Sequence, residues 1–218
     1  MAMPEIEPPD LPEYMTWEEL ELLPDEIANQ IELWDGKVVW VRRGPSEHQT
    51  ITRRLTNEIE RCARATMATD SDQCWRVTFE TNVFFGGNKS NFVTPDFMVY
   101  RCLERPYLDV RASDVLLAGE VHSPSNTQTD IEAKKARYAS ERIPYYWEVS
   151  LARPDAAVAM VRAFALTTDD HGHLPEGIKP LRPTNYLVIG EWTPPIQLDG
   201  IIIDHPFPIR IPWSELEI

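Results

Sequence analysis

The sequence predicts an α/β (α+β) domain: a central mixed sheet flanked by long helices, with a C-terminal β extension. Three observations carry this. Residues 46–67 place Ile51, Leu55, Ile59 and Cys62 at helical spacing, the pattern of a long amphipathic helix. A second long helix is expected over 127–140, following a Ser/Pro/Asn break. Around these lie short runs rich in β-branched and aromatic residues, which continue as isolated strands into the tail.

The elements follow in order. Thr16-Trp17-Glu18-Glu19 is a capping box that opens a short helix, and Pro24 ends it. Residues 30–41 read as two strands around the turn Asp35-Gly36. Residues 75–85 read as one strand, Gly86-Gly87-Asn88 as a turn, and 92–100 as the next strand, with Pro95 near its start. The apolar run 115–121, VLLAGEV, has the length of a buried strand, with Glu120 as its only charge. Strands are further expected at 145–149, 157–165, 186–189, 201–203 and 208–211, with a loop after Thr167 and a final turn at 213–216.

A chain of 218 residues with 43% apolar residues suits one domain, or one domain with a small appendage. The expected organisation is a flexible, acidic and Pro-rich arm at 1–15, a core at 16–166, and an extension of short strands at 167–218 packed on the same domain. No apolar run is long enough to span a membrane. The N-terminus has neither a basic start nor an apolar stretch, so no secretion signal is expected. Cys62, Cys74 and Cys102 are scattered, with no C-x-x-C pair. Structural zinc and disulfides are therefore not expected, and free thiols suit a cytoplasmic location. Lys and Arg number 21 against 35 Asp and Glu, a net charge of −14. That balance argues against tight, non-specific nucleic-acid binding, which leans on neutralising phosphates.

Several residues are candidates for chemistry. Glu120 is a carboxylate in an apolar strand, costly to bury unless it is paired or bound to a metal. A water-exposed strand end would account for it equally well. Asp96 follows Pro95 at a strand start, where a plain turn is the commoner reading. Asp130, Lys134 and Tyr138 are spaced i, i+4, i+8 and share a helix face, as a solvated ion pair would also do. His122 lies two residues beyond Glu120 and so shares its strand face. Glu32 in the hairpin and His48 at a helix start are, taken singly, more often structural than catalytic.

Together these residues match a known arrangement. Thr94-Pro95-Asp96, then Glu120 about two dozen residues later, then a lysine, resembles the PD-(D/E)xK nuclease signature. More closely, the chain from 16 to about 165 resembles the bacterial putative restriction endonuclease family. The matching segments are Ile31-Glu32-Leu33-Trp34-Asp35-Gly36-Lys37-Val38-Val39; His48 with Ile51 and Leu55; and Thr94-Pro95-Asp96. They continue with Gly119-Glu120-Val121-His122-Ser123-Pro124-Ser125, Asp130 with Lys134 and Tyr138, and Ile143-Pro144-Tyr145-Tyr146-Trp147-Glu148-Val149. Arg142 stands where that family often has glycine, Tyr145 where it has glutamate, and Ser150 where it has aspartate. None of the three removes a metal ligand.

The resemblance implies a restriction-endonuclease-like fold and a Mg²⁺- or Mn²⁺-dependent phosphodiesterase acting on nucleic acid, with DNA as the expected substrate. Asp96 and Glu120 would hold the metal. Lys134 would be the family's lysine displaced onto the helix, with Lys135 as the fallback. Glu32 would assist through water, and His48, His122, Asp130 and Tyr138 would support. A homodimer is expected, since many endonucleases cut both strands by pairing. The alternative is a catalytically inactive module of the same fold, serving in protein binding or oligomerisation. An esterase or protease has no support, because neither G-x-S-x-G nor H-E-x-x-H occurs.

Overall fold

The computed structural model describes residues 11–41, 44–70, 72–123, 126–153, 155–168, 184–194, 196–197 and 199–218. Most of the expected arm, the 124–125 break and the 169–183 loop lie outside them.

In chain order the helices and strands are α1 (Trp17–Leu20), α2 (Asp25–Ala28), β1 (Ile31–Trp34), β2 (Lys37–Trp40), α3 (Ser46–Met67), β3 (Trp75–Phe79), β4 (Val83–Phe84), β5 (Phe92–Val93), β6 (Phe97–Arg101) and β7 (Val110–Arg111). They continue with β8 (Val115–His122), α4 (Gln128–Ser140), β9 (Tyr145–Leu151), β10 (Val158–Thr168), β11 (Thr184–Trp192), β12 (Ile201–Ile203) and β13 (Ile209–Ile211).

The chain divides into two compact units, Met1–Arg43 with Phe84–Val93, and Gly44–Val83 with Thr94–Ile218. In the first, the Thr16–Glu19 capping box closes both ways. The hairpin turns on Asp35 and Gly36, both at positive φ (55° and 82°), as the two-residue turn requires. Leu33 of β1 pairs with Phe92 of β5. Met15, Leu20, Ile31, Leu33, Phe84 and Phe92 form this unit's core.

The second unit is built on a six-stranded sheet in the order β11-β10-β9-β8-β6-β3. Its pairs are antiparallel except β8–β9, which are parallel and joined through α4. The sheet is therefore mixed. Side-chain alternation sorts its two faces. Phe97, Val99, Leu117, Val121, Trp147 and Val149 pack with Ile51, Leu55, Ile59 and Cys62 of α3. Ile201, Ile203, Ile209 and Ile211 of the small β12–β13 hairpin complete that core. On α4, Tyr138 stacks near Tyr146 of β9, which in turn contacts Phe164 and Tyr186. Gly119 pairs with Phe97, whose ring lies where a Cβ on Gly119 would be, so no larger residue fits at 119 without displacing it.

Several expectations are corrected. The strand expected over 75–85 is two, β3 and β4, separated after Glu80 takes a positive φ of 44°. The strand expected over 92–100 is also two, because the chain leaves extended pairing through Thr94-Pro95-Asp96 and Pro95 has no N–H to donate. Helix α2 and strand β7 were not expected, and β11 is longer than 186–189. The largest correction concerns the thiols: Cys74 and Cys102 form a disulfide, leaving Cys62 free and buried. The antiparallel pair Trp75↔Arg101 sets the two cysteines opposite each other just beyond the paired strands. The cytoplasmic expectation loses the support it drew from free thiols. Among the described residues, no helix is long and apolar enough to cross a membrane.

Candidate functional site

Strands β6 and β8 run antiparallel with Phe97 opposite Gly119, so the next residues outward, Asp96 and Glu120, are neighbours at one end of the sheet. Asp96 Oδ2 accepts the Val121 amide at 2.7 Å and pairs with His48 Nε2 at 3.1 Å. His48 reaches it from the first turn of α3. Burial alone would raise the Asp96 pKa. The hydrogen bond and charge of His48, the Lys134 charge and the Val121 amide outweigh this and hold the carboxyl below its usual range. Burial likewise disfavours charged His48, but the bond to Asp96 and its charge win and raise the imidazole above its usual value.

Glu120 is buried, with 6% of its surface exposed. Its Oε1 accepts Lys134 Nζ at 2.9 Å and Tyr138 OH at 2.5 Å. These partners lie one turn apart on α4, which follows β8 and covers the Glu120 face. Lys134 Nζ also donates to the Thr94 carbonyl at 3.1 Å, two residues before Asp96. Lys134, not Lys135, therefore reaches Glu120.

Lys135 makes a second pair. Its Nζ lies 3.0 Å from Glu148 Oε1 and 2.7 Å from Glu132 Oε1, and 4.8 Å from the centre of the Phe164 ring. Glu148 is buried and stands beside Glu120 in the parallel register of β8 and β9. Sequence reasoning passed over Glu148 as part of a family segment. The available signal was a lone charge inside the strand YYWEVSL.

The other expected residues are placed as follows. His122 ends β8, and its Nε2 is buried without a hydrogen-bond partner. Burial, with the nearby Lys134, His48 and Lys135 charges, depresses its pKa to about 4 against the opposing pull of Asp96. Asp130 is exposed and engaged in the α4 cap, its Oδ2 bonded to the Thr127 hydroxyl, while its own amide donates back to that hydroxyl at 3.2 Å. Glu32 belongs to the first unit, where it is fully buried and accepts the Trp34 indole N–H at 2.9 Å.

The donor chemistry suits a hard divalent cation. Mg²⁺ binds through one or two carboxylates and keeps several waters. Both protein donors to Asp96 fall on Oδ2. Its side chain is 19% exposed, and Oδ1 accepts no hydrogen bond among the described residues. One carboxylate oxygen is thus held and the other is presented. Among the described residues, no group of three or more His, Cys, Asp or Glu is arranged as a metal cage, so a metal here would rest on the two carboxylates and water.

A central mixed sheet flanked by helices, with a small C-terminal β extension, is consistent with the restriction-endonuclease-like fold. A solved structure from Anabaena variabilis, described as a putative nuclease belonging to DUF820, is similar to the chain. Its TM-score is 0.56 at 15% identity, over 93% of this chain and 97% of that one, a likeness of fold. Residues 17–167 match the model of the Uma2 family, described as "Putative restriction endonuclease", and the chain belongs to that family. No curated protein matches it.

Proposed function

We propose that the chain is a phosphodiesterase acting on nucleic acid, with Asp96 and Glu120 as ligands of Mg²⁺ or Mn²⁺. The observation that carries this is the pairing of a held and a presented oxygen on Asp96 with Lys134 on the adjacent Glu120. When bound, the ion supplies Lewis-acid polarisation of a phosphate oxygen and a more acidic water. His48 and the Val121 amide keep Asp96 in one orientation. Tyr138 and Lys134 do the same for Glu120. Lys134 Nζ orients the attacking water or meets the negative charge that grows on the phosphate. Hydrolysis breaks one P–O ester bond as the water oxygen forms another. The water loses a proton and the leaving oxygen gains one. Two copies of the chain would serve the two strands of a duplex.

One observation favours a second reading, an inactive module of the same fold. Asp96–His48 and Glu120–Lys134–Tyr138 already satisfy one another without a metal. Calorimetric Mn²⁺ titration of wild type and Asp96→Ala separates the two. The nuclease reading expects binding in wild type that Asp96→Ala abolishes. It also expects Mn²⁺-dependent cleavage of DNA or RNA that Lys134→Ala lowers at least about 100-fold. No Mn²⁺ binding by wild type, with or without a short duplex, selects the inactive module.

A further inference from the structure

We propose that Gly44 is a positioning residue of the carboxylate site: the space left by its missing side chain seats the His48 ring against Asp96. This rests on the reading of Asp96 as a metal ligand. A Cβ on residue 44 would lie 2.7 Å from His48 Cβ and closer still to Cγ and Nδ1. Cγ and Nδ1 turn with the side chain, but the His48 Cβ is fixed by the α3 backbone. A change of rotamer therefore cannot relieve the overlap, and the start of α3 or the chain before it must move. Gly44 does not have a left-handed φ, so the requirement is for space and not for backbone freedom. Pro45, at the helix cap, stiffens the one residue between Gly44 and α3.

The His48 ring interacts with Asp96 through Nε2 and with the Val121 backbone, while its Nδ1 is buried without a partner. Nothing polar holds the Nδ1 side of the ring, so packing contributes to its angle, and the bare backbone at Gly44 is one wall of that packing. His48 and the Val121 amide both hold Asp96 by Oδ2. If the ring shifts, the amide is left alone, the carboxylate can rotate, and Oδ1 is no longer presented in one direction. Gly44 thus acts on the metal ligand through His48, touching neither Asp96 nor the metal. Partners at this remove from a metal typically change its affinity by about 10–100-fold when lost.

The test is a double-mutant cycle of Gly44→Ala and His48→Gly, with two readouts. One is Mn²⁺ affinity by calorimetry. The other is the long-range ¹H–¹⁵N imidazole spectrum of the metal-free protein at fixed pH. Gly44→Ala is expected to shift the His48 ring resonances and weaken Mn²⁺ binding about tenfold. In the His48→Gly background, where none of the overlapping atoms remains, the same substitution should leave Mn²⁺ affinity unchanged. Unmoved His48 resonances, or equal weakening in both backgrounds, overturn the proposal. If Gly44→Ala alone does not fold, the double variant decides: with the whole side chain gone it should fold and bind as His48→Gly does, and failure to fold overturns the idea. If wild type binds no Mn²⁺, the metal reading falls, and the imidazole spectrum still decides whether Gly44 seats the ring.

Discussion

His122 shows how the site's interior shapes the pH behaviour of the molecule. Its imidazole titrates near 4 in the folded chain against 6.5 as a free side chain. The unfolded state therefore binds more protons between those values, and stability falls as the pH drops through that window. The depressed Asp96 adds a loss of the same sign further down, as pH falls through its folded pKa. His48 runs the other way. Its raised pKa contributes stability that is fully present below its ordinary value and lost as pH rises through the folded one. Urea denaturation of His122→Phe at pH 7 and pH 5 isolates the first effect. The variant should lose about 2 kcal/mol less than wild type between the two, and an equal loss would show that His122 is not held neutral. At this scale the sequence was legible in part. The helical spacing put Lys134 and Tyr138 on one face, but no spacing could say that this face meets Glu120, or that Lys135 belongs to Glu148, which depends on the parallel register of β8 and β9.

Among the elements, α4 closes in a Schellman motif. The Arg142 amide donates to Ala139 O at 3.0 Å and the Ile143 amide to Tyr138 O at 3.1 Å, with Ile143 fully buried. Arg142 sits at φ 60°, the position where the resembled family often has glycine. An L-residue pays about 1 kcal/mol there, so Arg142→Gly should raise stability by roughly that amount in a urea melt while leaving the Lys134–Glu120 pair intact. The departure from the family pattern thus changes the residue at the turn and leaves the turn itself in place. The edge pair β3–β6 is stapled by Cys74–Cys102, which closes a loop of 28 residues in sequence separation. Loop-closure entropy puts that link at about 3.5 kcal/mol. Cys74→Ser with Cys102→Ser should lower the unfolding free energy by about that much, and an unchanged midpoint would contradict it. The pairing was not legible because neither cysteine lies in a motif. Only the register of two distant strands brings them face to face. Helix α3 was legible, its ends included, because its buried positions recur every three or four residues over six turns.

For the whole molecule, the charge of −14 sets the terms of any encounter with nucleic acid. Among the described residues, Arg61, Arg64, Arg111, Lys134, Lys135, Arg162 and Arg210, a third of the 21 Lys and Arg, each lie within ion-pair distance of a carboxylate. Acidic residues also outnumber basic ones by 14, so their repulsion of phosphate offsets what the remaining cations gain by displacing counterions. Duplex binding should depend on divalent metal and vary only weakly with monovalent salt, with a log–log slope shallower than about −3. Fluorescence anisotropy over a KCl series, with Mn²⁺ and then with EDTA, measures this, and a steep slope in EDTA would reveal a basic surface that does not need the metal. The fold class was readable at this scale because two amphipathic helices around apolar strands have few ways to bury their faces. The division into two units was not. Residues 84–93 join the N-terminal hairpin after an excursion of some forty residues, and no local pattern marks that return.

Gly119 carries a lesson for anyone screening variants of this chain. The Phe97 ring occupies the volume any side chain at 119 would need, and both residues adjoin a candidate ligand: Asp96 precedes Phe97 and Glu120 follows Gly119. In a saturation library, position 119 should tolerate nothing larger than hydrogen, with losses as complete as those at the carboxylates. Ranked by phenotype alone, this glycine would pass for part of the chemistry. A compensating change at Phe97, such as a smaller aliphatic residue, would unmask it as the spacer that sets the two strand ends side by side.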